Sequence, residues 1–368
     1  MSPRPHNLLI VGLGPSGMRH LRAFQATGRV QLAICDADSE RRLRAMREYG
    51  ADRAYASLDE ALRERHDVGV VIGPVPERFR SAVRMMEHRL HVLIEPPLGL
   101  SLEGSDELLA MARRMRRVAA TGYLLRAHPA LIAMRKAVVD GQFGRPLQVL
   151  GVDARRLTPS DQPDSADGRV SHKTGGGAIQ RGLSRLMNAA QWLVGSMDYL
   201  IADAERQVLD DVPVEDTVHV IARHGRIMAE YAANQHQSMP EVFLSVTAEH
   251  GCCRFDRLQN RWGYLTGGAS APEGGGGGAS ANDLPEKAPA TEAGAPGAWR
   301  FEASEQFDDE QLTVLQAEAF LDAVDGIRPP LCTLEEGVQT LRATLAALES
   351  ARTHARQPIE PGRGVGWG

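Results

Sequence analysis

Lysine is nearly absent from this chain. Only Lys136, Lys173 and Lys287 occur, so almost all of the 42 basic residues are arginines. A reaction that needs an amine to carry a proton has few candidates here. Cysteine is also scarce. Cys35, Cys252, Cys253 and Cys332 are scattered or adjacent, without zinc-like spacing or a disulfide framework. They read as reduced core or strand residues, and no metal site is expected. Aromatic residues make up 5% of the chain and do not interleave with a basic stripe, and the net charge is -5, which argues against nucleic acid as a partner. The arginines at 113–117 read as a solvated helix face. No apolar run approaches the roughly 20 residues of a membrane span, and residues 1–7 lack the apolar core of a signal peptide. A cytoplasmic protein that avoids membranes is the expectation.

What is present is length, glycine and strand–helix alternation. The 368 residues, 43% hydrophobic and 24% charged, suffice for two domains. The run Asn7-Leu-Leu-Ile-Val-Gly12-Leu-Gly14-Pro-Ser-Gly17 is apolar up to a turn that carries glycine at three set positions. Gly12 permits the tight turn, Gly14 lets the backbone approach a pyrophosphate, and Gly17 lets helix and strand pack closely. A second apolar run ends at Asp36, an acid placed to accept from ribose hydroxyls. NAD is therefore expected, with Arg41 and Arg42 leaving room for the phosphate of NADP. Helices are predicted at 39–49, 57–65 and 79–89, and strands at 67–72 and 91–95, an alternation that makes a parallel sheet.

Beyond this point the chain resembles the Gfo/Idh/MocA oxidoreductases, the glucose–fructose oxidoreductase and inositol dehydrogenase group. The resemblance runs through His91-Val-Leu-Ile-Glu95-Pro-Pro97-Leu98, Gly122-Tyr123, Arg126, His128-Pro129, Gly175-Gly-Gly-Ala-Ile179, Val214-Glu-Asp-Thr217 and Glu318-Ala-Phe-Leu-Asp322. It implies an α/β fold: a Rossmann domain over 1–123 and, over 124–368, an α/β domain with an open, mostly antiparallel sheet that makes oligomer contacts. It also implies cofactor contacts at Gly12, Gly14, Gly17, Asp36 and Glu95. Substrate contacts are implied at Arg126, His128, Arg181 and Arg185.

The family's usual proton-handling groups are a lysine from Glu-Lys-Pro and an aspartate and histidine from an Asp-x-x-x-His helix. This chain has Pro96 at the first position and Arg181 and Arg185 at the other two. Proline has no side-chain proton, and a guanidinium stays charged, so neither replaces a general base. Lys173, with His172 beside it, is the candidate substitute, against the plainer reading of a solvated basic loop. Arg181 and Arg185, four apart on a helix predicted over 178–194, share a face. They either pair with nearby acids or hold a carboxylate or phosphate of an anionic small molecule.

Strands are expected at 217–222, 226–232 and 243–248, with turns at 224–225 and 250–251. A low-complexity run at 267–298 is expected to be a disordered insertion, and helices are predicted at 311–325 and 334–352. Three functions stay open. The first is a divergent oxidoreductase, for example reducing an imine or conjugated carbonyl. The second is a non-redox enzyme on the same fold. The third is a pseudoenzyme that assembles through the open sheet, as a homo-oligomer or with a paralogue.

Overall fold

The apolar run ahead of the glycine turn forms β1 (His6–Val11), in which Leu8, Leu9 and Ile10 are fully buried. A strand buried on both faces needs helices above and below it, and the chain supplies them in alternation. In order come α1 (Pro15–Ala26), β2 (Val30–Cys35), α2 (Ser39–Tyr49), β3 (Arg53–Tyr55), α3 (Leu58–Ala61), β4 (Val68–Val71), α4 (Arg78–Glu87), β5 (His91–Ile94), α5 (Ser105–Met115) and β6 (Ala119–Thr121). All six strands are parallel, in the order β3-β2-β1-β4-β5-β6. The connection reverses direction between β1 and β4, which opens a crevice at the C-terminal strand ends. This is a computed structural model, and it describes residues 4–156, 171–208, 213–266, 298–302 and 305–360.

The remaining elements are α6 (Pro129–Val139), β7 (Pro146–Ala154), α7 (Ser184–Val194), β8 (Tyr199–Glu205), β9 (Thr217–His224), β10 (Ile227–Asn234), β11 (Glu241–Ala248), β12 (Gly251–Asp256), β13 (Arg261–Thr266), β14 (Arg300–Glu302), α8 (Asp309–Val324), α9 (Leu334–Thr353) and β15 (Gln357–Pro358). Among the described residues the second sheet has nine strands, in the order β14-β13-β12-β11-β7-β10-β9-β8-β15. Only the β7–β10 pair is parallel. Along β9, Val218, Val220 and Ala222 are buried in one core with α7 and α9, while His219 and Ile221 face outward. That alternation is the mark of a sheet covered on one side. On the open side Ile201, Ile221 and Met228 remain exposed. The expected hairpin turns at 224–225 and 250–251 join β9 to β10 and β11 to β12. The expected insertion lies, apart from Ala298, outside the described residues.

Two helices tie the sheets together. The first half of α9 packs Leu334, Val338 and Leu341 into the core beside β5, and its second half places Ala343 and Ala347 under the nine-stranded sheet. A capping box starts it: Thr333 Oγ1 accepts from Glu336 N–H, and Glu336 accepts from Thr333 N–H. Helix α8 lies on α1, with Phe320 edge-on to Phe24. Two predicted helices come out differently. That at 57–65 is the short α3, which runs only from Leu58 to Ala61. That at 178–194 begins with a π-helical turn, Ile179–Leu183, before α7. The buried Glu215 carboxylate draws the chain in at that turn, accepting from Ile179 N–H at 2.9 Å.

Candidate active site

The glycine turn is built for close approach. Gly12 has φ +95°, and a Cβ there would stand 2.6 Å from Gly73 N. A Cβ on Gly17 would collide with the Gly12 carbonyl, so α1 could not pack against the turn. Gly14 caps α1 without a side-chain hydrogen bond, which leaves the first free N–H groups of the helix unclaimed by any cap. Asp36 follows β2, and its carboxylate accepts from Leu13 N–H at 2.6 Å and Asp38 N–H at 2.8 Å. Those bonds hold it over the turn. Arg42 is spent on the Asp36 and Ala37 carbonyls, whereas Arg41 reaches to 4.0 Å from the Asp36 carboxylate. This cradle fits a nicotinamide dinucleotide.

The crevice continues into a cavity of about 880 Å³, walled by α1, the ends of β4 and β5, the π-turn, β7 and the start of α8. Pro96 lines it and offers no proton. The Pro96–Pro97 peptide bond is cis. Beneath, Arg78 donates to the carbonyls of Ile72, Gly73, Glu95 and Pro97, binding the ends of β4 and β5 into one platform. Glu95 also lines the cavity, with its Oε2 2.9 Å from His20 Nε2.

On the opposite wall Arg181 and Arg185 both line the cavity, so the expected shared face survives the π-turn. The end of β7 adds Asp153 and the residue just after the strand adds Arg155, which pair at 2.8 Å. Arg185 makes no hydrogen bond or ion pair with any described residue. Burial, and then the charge of Arg155, push its guanidinium below the ordinary value. Next to these, Ala233, Asn234 and Gln235 complete a small recess, and Gln235 Oε1 is buried there without a partner.

The two candidate proton carriers separate. Lys173 lines the cavity. His172 instead sits 3.2 Å from Glu215, whose carboxyl is raised above its ordinary range by burial. That pair buttresses the π-turn outside the cavity wall.

Arg126 and His128 lie behind the cavity wall. Arg126 is 1% exposed, bonded to Asn188 Oδ1, the Leu331 carbonyl and Glu336, with its guanidinium over Trp192. His128 is fully buried: Nδ1 accepts from Ala130 N–H to cap α6, Nε2 bonds Asn260, and burial pushes its pKa down to about 4. Both positions were expected to touch substrate; they are enclosed because their polar atoms are committed to helix ends and neighbouring side chains.

Sequence reasoning missed Arg19, His20, Arg78, Asp153, Arg155, Arg257 and Asp309, all cavity-lining. Arg19 and His20 carried a signal, since they follow the glycine turn on the helix that faces the crevice. The others come from chain-distant elements and had none.

Two family models match, "Oxidoreductase family, NAD-binding Rossmann fold" over residues 6–123 and "GFO/IDH/MocA C-terminal domain" over 131–254. The UDP-N-acetylglucosamine 3-dehydrogenase of Acidithiobacillus ferrooxidans is 34% identical over 159 residues, 43% of this chain and 47% of that protein. This match therefore spans about half of that relative's length. The 1,5-anhydro-D-fructose reductase of Ensifer adhaerens is 26% identical over 92% of this chain and 94% of its own. Among solved structures, the WlbA dehydrogenase of Bordetella pertussis in complex with NADH and UDP-GlcNAcA superposes with TM-score 0.75 at 21% identity, over 97% of this chain and 99% of that one. Levoglucosan dehydrogenase in complex with NADH and L-sorbose reaches 0.81 at 16% identity, over 98% and 100%. With both matched segments covering well over half its length, the chain belongs to the Gfo/Idh/MocA family of NAD-binding oxidoreductases.

Proposed function

We propose that this protein is a divergent oxidoreductase that reduces an anionic, sugar-like small molecule. The observation that carries the reading is Arg185, a guanidinium in the cavity wall with no hydrogen-bond or ion-pair partner among the described residues and Arg181 beside it. A half-buried cation left without an acceptor is costly, and an anionic ligand group relieves that cost. Bound nicotinamide dinucleotide supplies the hydride. The chain's own part is to hold the ligand: Asp36 takes the ribose hydroxyls, the glycine turn takes the phosphates, and Arg181 and Arg185 take the substrate anion. In a reduction of a carbonyl or imine, hydride goes to carbon and one proton goes to oxygen or nitrogen. Lys173, or water at the same opening, supplies that proton.

The test is calorimetric titration of the protein, saturated with NADH, with glucuronate and UDP-GlcNAcA beside glucose and UDP-GlcNAc. The member of each pair that carries the sugar carboxylate should bind more tightly. A charge-assisted contact contributes about 1.5–3 kcal/mol, so Arg185→Ala should weaken that binding roughly ten- to a hundredfold, with NADH affinity unchanged. If the parent does not favour the carboxylate-bearing member of either pair, or if Arg185→Ala and Arg181→Ala bind as the parent does, the anionic-substrate reading is overturned.

We also infer that a second copy of the chain covers the open side of the nine-stranded sheet. Ile201 and Ile221 are cross-strand partners there, and Met228 lies on the neighbouring strand, all exposed. Ile221→Asp should lower the mass found by sedimentation to that of a monomer. A parent that is itself monomeric at micromolar concentration would exclude this assembly.

A further inference from the structure

The cavity holds a second charged feature, separate from the arginines of the opposite wall. Glu95 directly follows β5, in the half of the parallel sheet formed by β4, β5 and β6. In a dinucleotide fold each half of the sheet takes one mononucleotide. The glycine turn and Asp36 belong to β1 and β2, where the adenosine side binds, so Glu95 stands on the nicotinamide side.

His20 and Glu95 are both sequestered, their side chains 3% and 16% exposed, and they meet at 2.9 Å. His20 Nδ1 is buried without a partner. A neutral imidazole has one N–H, and here it is placed on Nε2 and donated to Glu95 Oε2. The other Glu95 oxygen takes no hydrogen bond from any described residue, and the side chain lines the cavity. Burial opposes charge on this carboxyl. The His20 hydrogen bond and the charges of Arg19 and Arg78 oppose that and hold it below its ordinary range. The result is an ionised carboxylate, fixed from behind and open in front.

We propose that the Glu95 carboxylate reads the charge of the nicotinamide ring, favouring the cationic oxidised ring over the neutral reduced one. The inference rests on the dinucleotide-binding reading and goes beyond it. NAD+ and NADH share every other group, so an interaction with ring charge shows itself in the ratio of their affinities. Arg19, Arg78 and Arg185 line the same cavity, but replacing Glu95 leaves them in place, so the change in the ratio reports Glu95. In a partly screened interior a unit charge a few ångströms away is worth about tenfold in that ratio or more. Tenfold corresponds to about 30 mV in a two-electron potential. The sign makes bound NADH the stronger hydride donor, which suits a reductase that lacks the family's proton-handling residues.

The experiment measures Kd for NAD+ and for NADH by calorimetry on the purified protein and on Glu95→Gln. Glutamine keeps the acceptor for His20 while removing the charge. The ratio Kd(NAD+)/Kd(NADH) should rise about tenfold, chiefly through weaker NAD+ binding. If Glu95→Gln does not fold, Glu95→Asp, which withdraws the charge by one methylene, must move the ratio the same way by a smaller factor. A ratio that stays within twofold of the parent's overturns the proposal and leaves the dinucleotide reading intact. Failure of the parent to bind either form overturns both.

Discussion

Offered NAD together with myo-inositol or glucose, the purified protein should form NADH at less than about 0.1 s⁻¹. Typical enzymes turn over at roughly 10 s⁻¹, and positioned acid–base help contributes about 10²–10⁴-fold to such steps. Here Pro96, Arg181 and Arg185, which the sequence resemblance aligns with the family's proton-handling groups, all line the cavity. None of the three accepts a proton. Asp153 is bound to Arg155 and Asp309 to Arg257, and a carboxylate held in an ion pair is a poor base. Lys173 is the one cavity-lining lysine among the described residues, and it would have to be neutral to take a proton from an alcohol. NADH absorbance followed over time checks this. Oxidation of either neutral sugar at about 1 s⁻¹ or faster would mean that another group serves as base.

Much of the fold is legible in the sequence because local rules agree with one another. The glycine spacing, the abrupt end of β1 and the acid after β2 each demand the same turn, and the structure fills it with φ +95° at Gly12 and no room for a side chain on Gly17. The period-two alternation along β9 likewise shows which side chains share the buried face of the second sheet. The site is legible only where its residues lie in those local patterns. Arg181 and Arg185 are four apart in the chain, and they meet the same cavity. Arg78 is different: its four acceptors lie on the ends of two strands that only the completed sheet brings together. The pairing of His20 with Glu95, 75 residues apart, is of the same kind. The π-turn was illegible because the buried Glu215 that draws it in lies 36 residues further along.

Arg126→Leu should cost about 3 kcal/mol of stability while leaving the affinity of the folded protein for NADH unchanged. The sequence puts Arg126 in a segment that suggests substrate contact, and the structure gives its guanidinium a different task. It joins the segment before α6 to Asn188 on α7, to the Leu331 carbonyl ahead of α9 and to Glu336 in the first turn of α9. Of these, α9 is one of the two helices that tie the sheets together. Leucine fills part of the space but leaves the Asn188 oxygen, the Leu331 carbonyl and Glu336 Oε1 without the guanidinium, while Glu336 Oε2 keeps Thr333 N–H. Losing one partner of a buried ion pair costs about 3–5 kcal/mol; Glu336 keeps a quarter of its surface in contact with solvent, which places this case at the lower end. For a protein of this size the loss should appear as a fall in Tm of roughly 5 °C. Scanning calorimetry and NADH titration on the same preparation separate the alternatives. If Tm is unchanged and ligand affinity falls, Arg126 reaches the cavity after all, and the bridge between the two sheets must depend on other contacts.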